Sequence, residues 1–299
     1  MTPLLSPAPG PQSLSKRDAR LVRALHRRDR STRRPRTWVQ LPSDGAWLAE
    51  EVGTPYVRQV LSGMVRKGTM FRDGHGRYVL APPGGEVIEQ TVPPQVLIDA
   101  ALAPRGDYYI AFMSAIVEHG LTDESEYAFY AAVREGRFVG RQEIAGRPLH
   151  LVRVTSSRKW VGIEQVRLRD RMSYRRSNLE RTLLDAVDRP RLCGGMETIV
   201  RAWERASRLG RLDDEQMVDL ATSIGGAVGL RAAFWLSRLD REASASAIID
   251  RLGGPGTSGT LRLDPSNEYA PESSARDRAT GVRVNVPEEL IRGWISYAK

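Results

Sequence analysis

Residues 43–80, SDGAWLAEEVGTPYVRQVLSGMVRKGTMFRDGHGRYVL, restrict the fold of this chain more than any other stretch, because glycines cut them into short pieces of definite type. Either Ser43 or Asp44 can cap a first helix with apolar positions Ala46, Trp47, Leu48 and Val52, and Gly53 stands where a left-handed residue closes a helix. Thr54 then caps a second helix with Pro55 at its first position, where a missing N–H costs nothing. Along that helix Val57, Val60, Leu61, Met64 and Val65 recur at helical spacing and form one face. Tyr56, Arg58, Gln59, Ser62, Arg66 and Lys67 point the other way, and Gly68 ends the helix. Two apolar runs, Met70-Phe71 and Tyr78-Val79-Leu80, flank Asp73-Gly74-His75-Gly76, a hairpin signal, with Arg72 and Arg77 on either side of the turn.

Helix, tight turn, helix and basic hairpin is the order of a winged helix-turn-helix. A helix presenting Tyr, Arg, Gln and Ser can enter a major groove and bond to base edges, and a hairpin with arginines can lie along phosphates or in the minor groove. The plainer alternative is a small helical subdomain with a solvated polar face. The residues expected to meet DNA are Thr54, Tyr56, Arg58, Gln59, Ser62, Arg66 and Lys67 of the second helix, and Arg72, His75 and Arg77 of the hairpin. Arg33, Arg34 and Arg36, around Pro35, form a candidate phosphate-contacting arm or a solvated basic loop.

Charge is distributed as this reading requires. The net charge is +9, and residues 1–85 carry fifteen Lys and Arg against six Asp and Glu, which leaves thirty of each sign in the rest. The whole excess sits in the expected DNA-binding part, as in a polyanion binder. No apolar run is long enough to span a membrane, and the opening MTPLLSPAPGPQSLS lacks the basic start and apolar core of a signal peptide, so residues 1–13 read as a disordered Pro/Ser tail. The single cysteine, Cys193, excludes an internal disulfide and fits the cytoplasm; it is expected to be a buried small apolar residue. His26, His75, His119 and His150 show no ligand spacing, so no metal or cofactor is expected.

In chain order, residues 14–28 form a first helix with the stripe Leu14, Ala19, Leu21, Val22, Leu25, and Thr37–Gln40 form a short strand able to pair with the hairpin. The domain division is 14–83 for the winged helix, 84–94 for a Pro/Gly linker, and 95–299 for a larger mixed domain. In the latter, helices at Pro94–Leu102 and Ala111–His119, with Tyr108–Ile110 leading into the second, precede strands at Glu126–Val133, Leu149–Thr155 and Val166–Tyr174. Helices follow at Leu179–Val187 (capped by Asn178), Met196–Leu209, Glu215–Ile224 (capped by Asp213), Ala227–Leu239 and Ala243–Leu252. Weak strands at Thr260–Leu263 and Val282–Val286 and a last helix, Glu288–Tyr297, end the chain. The class is α+β, with a strand-rich middle and a helical C-terminal part.

Two motifs in this larger domain carry a resemblance: YYIAFMSAIVEHGL, with Ser114-Ala115 and His119-Gly120-Leu121, and Glu180-Arg181-Thr182-Leu183-Leu184-Asp185 with Arg189-Pro190 and Cys193-Gly194-Gly195. With the winged helix upstream, the chain over about residues 13–250 resembles the AbiEi family of antitoxins, transcriptional repressors of type IV toxin–antitoxin (abortive infection) operons. The resemblance implies repression of the chain's own operon through inverted-repeat operators, and neutralisation of a nucleotidyltransferase-like toxin, with or without direct contact. It implies no enzymatic activity in this chain. The residues agree with that implication. None of Lys16, Lys67, Lys159 and Lys299 follows an acid at nuclease spacing, no Asp-x-Asp occurs, and there is no Gly-x-Ser-x-Gly. Glu180, Asp185 and Asp188 are the remaining candidate carboxylates, and a capped helix with surface ion pairs, Arg181 to Asp185 among them, is the simpler account of them. Two other classes stay open: a winged helix tethered to a nucleic-acid enzyme, and a ligand-responsive repressor.

Overall fold

The structure is a computed structural model, and it describes residues 15–27, 38–66, 69–72, 77–80, 93–103, 106–134, 140–144, 147–168, 173–269 and 274–297. The expected tail 1–13, the arm at Arg33, Arg34 and Arg36, the linker 84–92, and Lys67, Gly68 and His75 lie outside them. The fold is α+β. By contacts the chain divides into Met1–Arg105 with Glu143–Gly146 and Arg167–Tyr174, and a second unit of Gly106–Gln142, Arg147–Val166 and Arg175–Lys299.

The first unit opens with α1 (Lys16–Arg27), β1 (Trp38–Gln40), α2 (Gly45–Val52), α3 (Val57–Arg66), β2 (Met70–Arg72) and β3 (Arg77–Leu80). α4 (Pro94–Leu102) follows. The three strands form one antiparallel sheet in the order β1-β3-β2, with Val39 opposite Tyr78 and Met70 opposite Leu80. The short strand at 38–40 therefore pairs with the hairpin as its composition suggests. Leu21 and Leu25 of α1, Leu48 and Val52 of α2, Val57, Leu61 and Met64 of α3, and Val39, Met70 and Tyr78 of the sheet make one core. Each helix contributes its i, i+3, i+4 stripe, so burial follows the period of the sequence. Ala46 departs from this: it is exposed, because α2 is only two turns long and its buried line runs through Leu48 and Val52.

The second unit begins with β4 (Tyr108–Ile110), α5 (Phe112–Glu118) and β5 (Phe129–Val133). β6 (Gly140–Ile144), β7 (Arg147–Arg153), β8 (Ile163–Arg167) and β9 (Ser173–Ser177) complete a six-stranded mixed sheet in the order β6-β7-β5-β4-β9-β8. β4 runs antiparallel to β5, whereas β5 with β7 and β4 with β9 are parallel. The helices α6 (Leu179–Asp188), α7 (Gly195–Arg208), α8 (Asp214–Ile224), α9 (Gly226–Arg238), α10 (Glu242–Arg251) and α11 (Glu288–Tyr297) follow. Their core centres on α6, whose residues 179–187 are all buried, and on Trp203, Phe234 and Trp235. Cys193 is buried in it, as expected. Two caps stand where the sequence puts them: Asn178 Oδ1 accepts the Arg181 N–H at 2.9 Å, and Asp213 Oδ1 accepts the Gln216 N–H at 3.0 Å.

Four strand assignments change. Tyr108–Ile110 is a buried strand in mid-sheet, because all three residues are apolar on both faces. The single strand expected at 166–174 is instead the end of β8 and the start of β9, two neighbouring strands of the sheet, with β9 beside β4. β6, GRQEI, is a strand that its own residues do not announce, since they carry no apolar alternation. The weak strands near the end are reduced to isolated bridges, Arg262 to Arg283 and Arg276 to Arg283. Among the described residues no helix is long and apolar enough to cross a membrane.

Candidate nucleic-acid interface

The turn between α2 and α3 aims the surface of interest. Gly53 adopts φ +71°, ψ 33°, and its N–H reaches the carbonyls of Ala49 and Glu50, while the Thr54 N–H also returns to Ala49 at 3.0 Å. A left-handed residue at this point is what lets the next helix start after only three intervening residues. That start differs from the sequence expectation. Pro55 is not the first helical residue. The Thr54 hydroxyl accepts the Tyr56 N–H at 3.3 Å, and the Tyr56 carbonyl takes the first helical N–H groups, from Gln59 at 3.0 Å and Val60 at 3.2 Å. The chain bends at Pro55 before the helix begins at Val57, and the hydroxyl satisfies a local turn rather than a helix end.

α3 then divides cleanly. Val57, Val60, Leu61 and Met64 are buried, and Val65 packs against them from a half-buried position. Arg58, Gln59 and Arg66 are exposed, Ser62 is half-buried beside them, and Tyr56 at the lead-in is 64% exposed. The side chains of Arg58, Gln59, Ser62 and Arg66 bond to no other described residue. Two guanidinium groups and an amide are thus held on one face with their donors unspent among the described residues. Such a face can bond to anionic or base-edge acceptors without first breaking an internal pair. Arg72 ends β2 and Arg77 begins β3, so the two flank residues 73–76, which lie outside the described residues, and their own side chains are not among those described.

Sequence reasoning passed over one basic surface. Lys16, Arg20, Arg23 and Arg27 are exposed along one side of α1, beside the buried line of Leu21, Ala24 and Leu25, and Arg17 is exposed in its first turn. The i, i+4, i+7, i+11 spacing of Lys16, Arg20, Arg23 and Arg27 was the available signal.

The carboxylates of the second unit have internal partners. Arg181, 1% exposed, donates to Asp185 at 3.0 Å, to the Tyr109 hydroxyl at 2.5 Å, and to the carbonyls of Lys159 and Val161. The pair expected on the surface is therefore interior, because α6 is packed on all sides. Gly162 makes the close approach possible: at φ +67°, a side chain there would stand 2.8 Å from the Arg181 Cβ. Burial raises the Asp185 carboxyl even against the attraction of Arg181, and burial pushes the Tyr109 hydroxyl well up. Glu180 accepts the Asp213 N–H at 3.0 Å, and Asp188 pairs with Lys159. Glu126, near the start of β5, accepts from the Ser114 hydroxyl, which itself accepts the Tyr130 N–H at 2.7 Å. Burial lifts the Glu126 carboxyl to about 7, with the Ser114 bond opposing and the charge of Glu118 adding. His119, whose Nε2 lies 2.9 Å from the Ser177 carbonyl, is depressed to about 4, again chiefly by burial. Among the described residues no group of three or more His, Cys, Asp or Glu side chains is arranged to hold a metal ion.

No family model and no curated protein matches the chain. A solved structure does. It is a crystal structure of the RV2827C protein from Mycobacterium tuberculosis, 15% identical, matched over 97% of this chain and 98% of that one with a TM-score of 0.65. The likeness is one of fold, and it extends over nearly the whole of both chains.

Proposed function

We propose that residues 16–80 form a winged helix-turn-helix that binds double-stranded DNA, and that the chain is an antitoxin repressing its own toxin–antitoxin operon. The observation that carries the DNA-binding part is the Arg58–Gln59–Ser62–Arg66 face of α3, with Arg58, Gln59 and Arg66 exposed and all four side chains unbonded to any other described residue. Its setting supports the reading. The order helix, strand, helix, helix, strand, strand, with the first strand paired to the hairpin, is that of a winged helix, in which the third helix enters the major groove. The excess positive charge of residues 1–85 supports it further.

The antitoxin part rests on the resemblance of the Ser114–Leu121 and Glu180–Gly195 segments to AbiEi proteins. In this reading the second unit neutralises a nucleotidyltransferase-like toxin, and the chain itself catalyses nothing. Two measurements test the proposal. Fluorescence-anisotropy titration of the full chain against the duplex upstream of its gene should show affinity falling by about 10³ or more between 50 and 200 mM salt, for six or more phosphate contacts. A flat salt response would remove the DNA-binding part. Co-expression with the product of a neighbouring nucleotidyltransferase-like gene should restore growth, and failure to do so would remove the antitoxin part alone.

A further inference from the structure

We infer that α1 is a second DNA-contacting element, a phosphate track made by Lys16, Arg20 and Arg23, in addition to α3 and the hairpin. The inference rests on the DNA-binding reading above and deepens it. The three residues share one face of α1 with Arg27, and all four are exposed. Lys16 to Arg27 span about 16 Å at 1.5 Å per residue, with the Cβ atoms of neighbouring members about 5–6 Å apart. Duplex DNA presents one charge per 3.4 Å of axis on each strand, so such a line faces several phosphates at once.

Two observations separate this stripe from an ordinary solvated helix face. First, its charges are unspent: Lys16, Arg20 and Arg23 bond to no other described residue, whereas Arg27 is tied to Glu51 of α2 at 3.0 Å. Second, the stripe reaches the start of α3. The Arg20 guanidinium lies 3.7 Å from where a side chain on Gly53 would begin, which is the turn that hands the chain from α2 to α3. A DNA strand passing the N-terminal end of α3 in the groove therefore meets Arg20, with Arg23 and Lys16 to either side. The positive end of the α3 helix dipole lies in the same place and adds to the attraction.

A membrane surface is the other polyanion for a basic amphipathic helix, and α1 is built against that use. Binding in a lipid interface needs a free apolar face, and the apolar face of α1 is consumed by the core, with Leu21 and Leu25 fully buried and Ala24 1% exposed.

The test uses the full chain with Lys16→Gln, Arg20→Gln and Arg23→Gln combined, and Arg27→Gln as a control. Circular dichroism and thermal melting establish that both variants fold. Binding to the upstream duplex and to a random duplex is measured from 50 to 200 mM salt. Each lost phosphate contact lowers the log–log salt slope by about 0.9, so three lost contacts reduce the fall in affinity over this range by about 40-fold. Specific and random affinity should drop by the same factor, the rank order of single-base operator variants should stay as in the wild type, and Arg27→Gln should leave the slope within one contact of it. A steep wild-type slope that the triple variant leaves unchanged overturns the track while sparing the DNA-binding reading. A changed rank order overturns it as well, since α1 would then read bases. A wild-type chain with no salt-dependent binding overturns both.

Discussion

Replacing Arg181 by methionine should cost the second unit about 3–5 kcal/mol, the usual penalty for leaving one partner of a buried ion pair alone. The structure shows why the full penalty applies. The guanidinium is 1% exposed and serves Asp185, the Tyr109 hydroxyl, and the carbonyls of Lys159 and Val161. Methionine matches much of the volume but none of the donors. Asp185, itself 5% exposed, loses its counter-charge and can escape only by holding a proton. Its carboxyl, already raised by burial, rises further in the variant. The native variant then binds a proton that the unfolded chain releases above the ordinary carboxylate value. Its destabilisation must therefore grow with pH, being smaller at pH 5 than at pH 8. For a unit of this size, 3–5 kcal/mol corresponds to a fall in Tm of about 6–20 °C. Urea unfolding followed by the fluorescence of the buried Trp203 and Trp235 measures the cost directly. Adding Asp185→Leu to Arg181→Met should recover part of the loss, because an apolar pair replaces a charge without a partner. A cost below about 1 kcal/mol for Arg181→Met, or simple additivity in the double variant, would refute the interior ion pair as the element holding α6 in place.

Three further outcomes are expected. Glu126 is lifted to about 7 from an ordinary 4.5, so the folded chain holds its proton longer than the unfolded chain, and the corresponding stability is lost as pH rises from about 4.5 through 7. Glu126→Gln should remove that loss, which is at most about 3 kcal/mol, and become more stable relative to wild type at pH 8 than at pH 5; equal stability differences at the two pH values would show that Glu126 titrates normally. Arg58→Ala or Gln59→Ala should relax preference at one operator position by about 1–3 kcal/mol, whereas Arg66→Ala should weaken specific and random binding alike. Competition against single-base operator variants checks this, and an unchanged rank order with Arg58→Ala would move base reading to the hairpin or the arm. Gly53→Ala, forced into φ +71°, should cost about 1–2 kcal/mol in thermal unfolding and weaken DNA binding beyond that, because the turn sets the direction of α3; binding unaffected by the change would show that α3 is positioned by other contacts.

Most of what decides the first unit is local, and so it is legible in the residues. Helical spacing alone sorted α3 into a buried line through Val57, Val60, Leu61 and Met64 and a polar line through Arg58, Gln59 and Arg66. Gly53 announced a left-handed stop, and in the second unit Asn178 and Asp213 announced helix starts in the same way, because a cap satisfies backbone groups within three residues of itself. The same rule misplaced the start of α3, where Thr54 and Pro55 offered a helix cap and the chain used them for a turn.

Partners distant in sequence were decided only by the tertiary structure. Tyr108–Ile110 became a mid-sheet strand because β5 and β9, from far along the chain, took both of its edges. Arg181 and Asp185 form the same i, i+4 pair on the page whether α6 lies on the surface or in the interior. The packing of α7, α8 and α9 around that helix turned a minor surface contact into an interior network closed by Tyr109 and the backbone next to Gly162. The basic line on α1 was equally visible as spacing, yet it acquired a direction only when folding brought Arg20 to Gly53, 33 residues on. Side-chain period belongs to the chain, while the dielectric around a charge and the neighbour it faces belong to the fold.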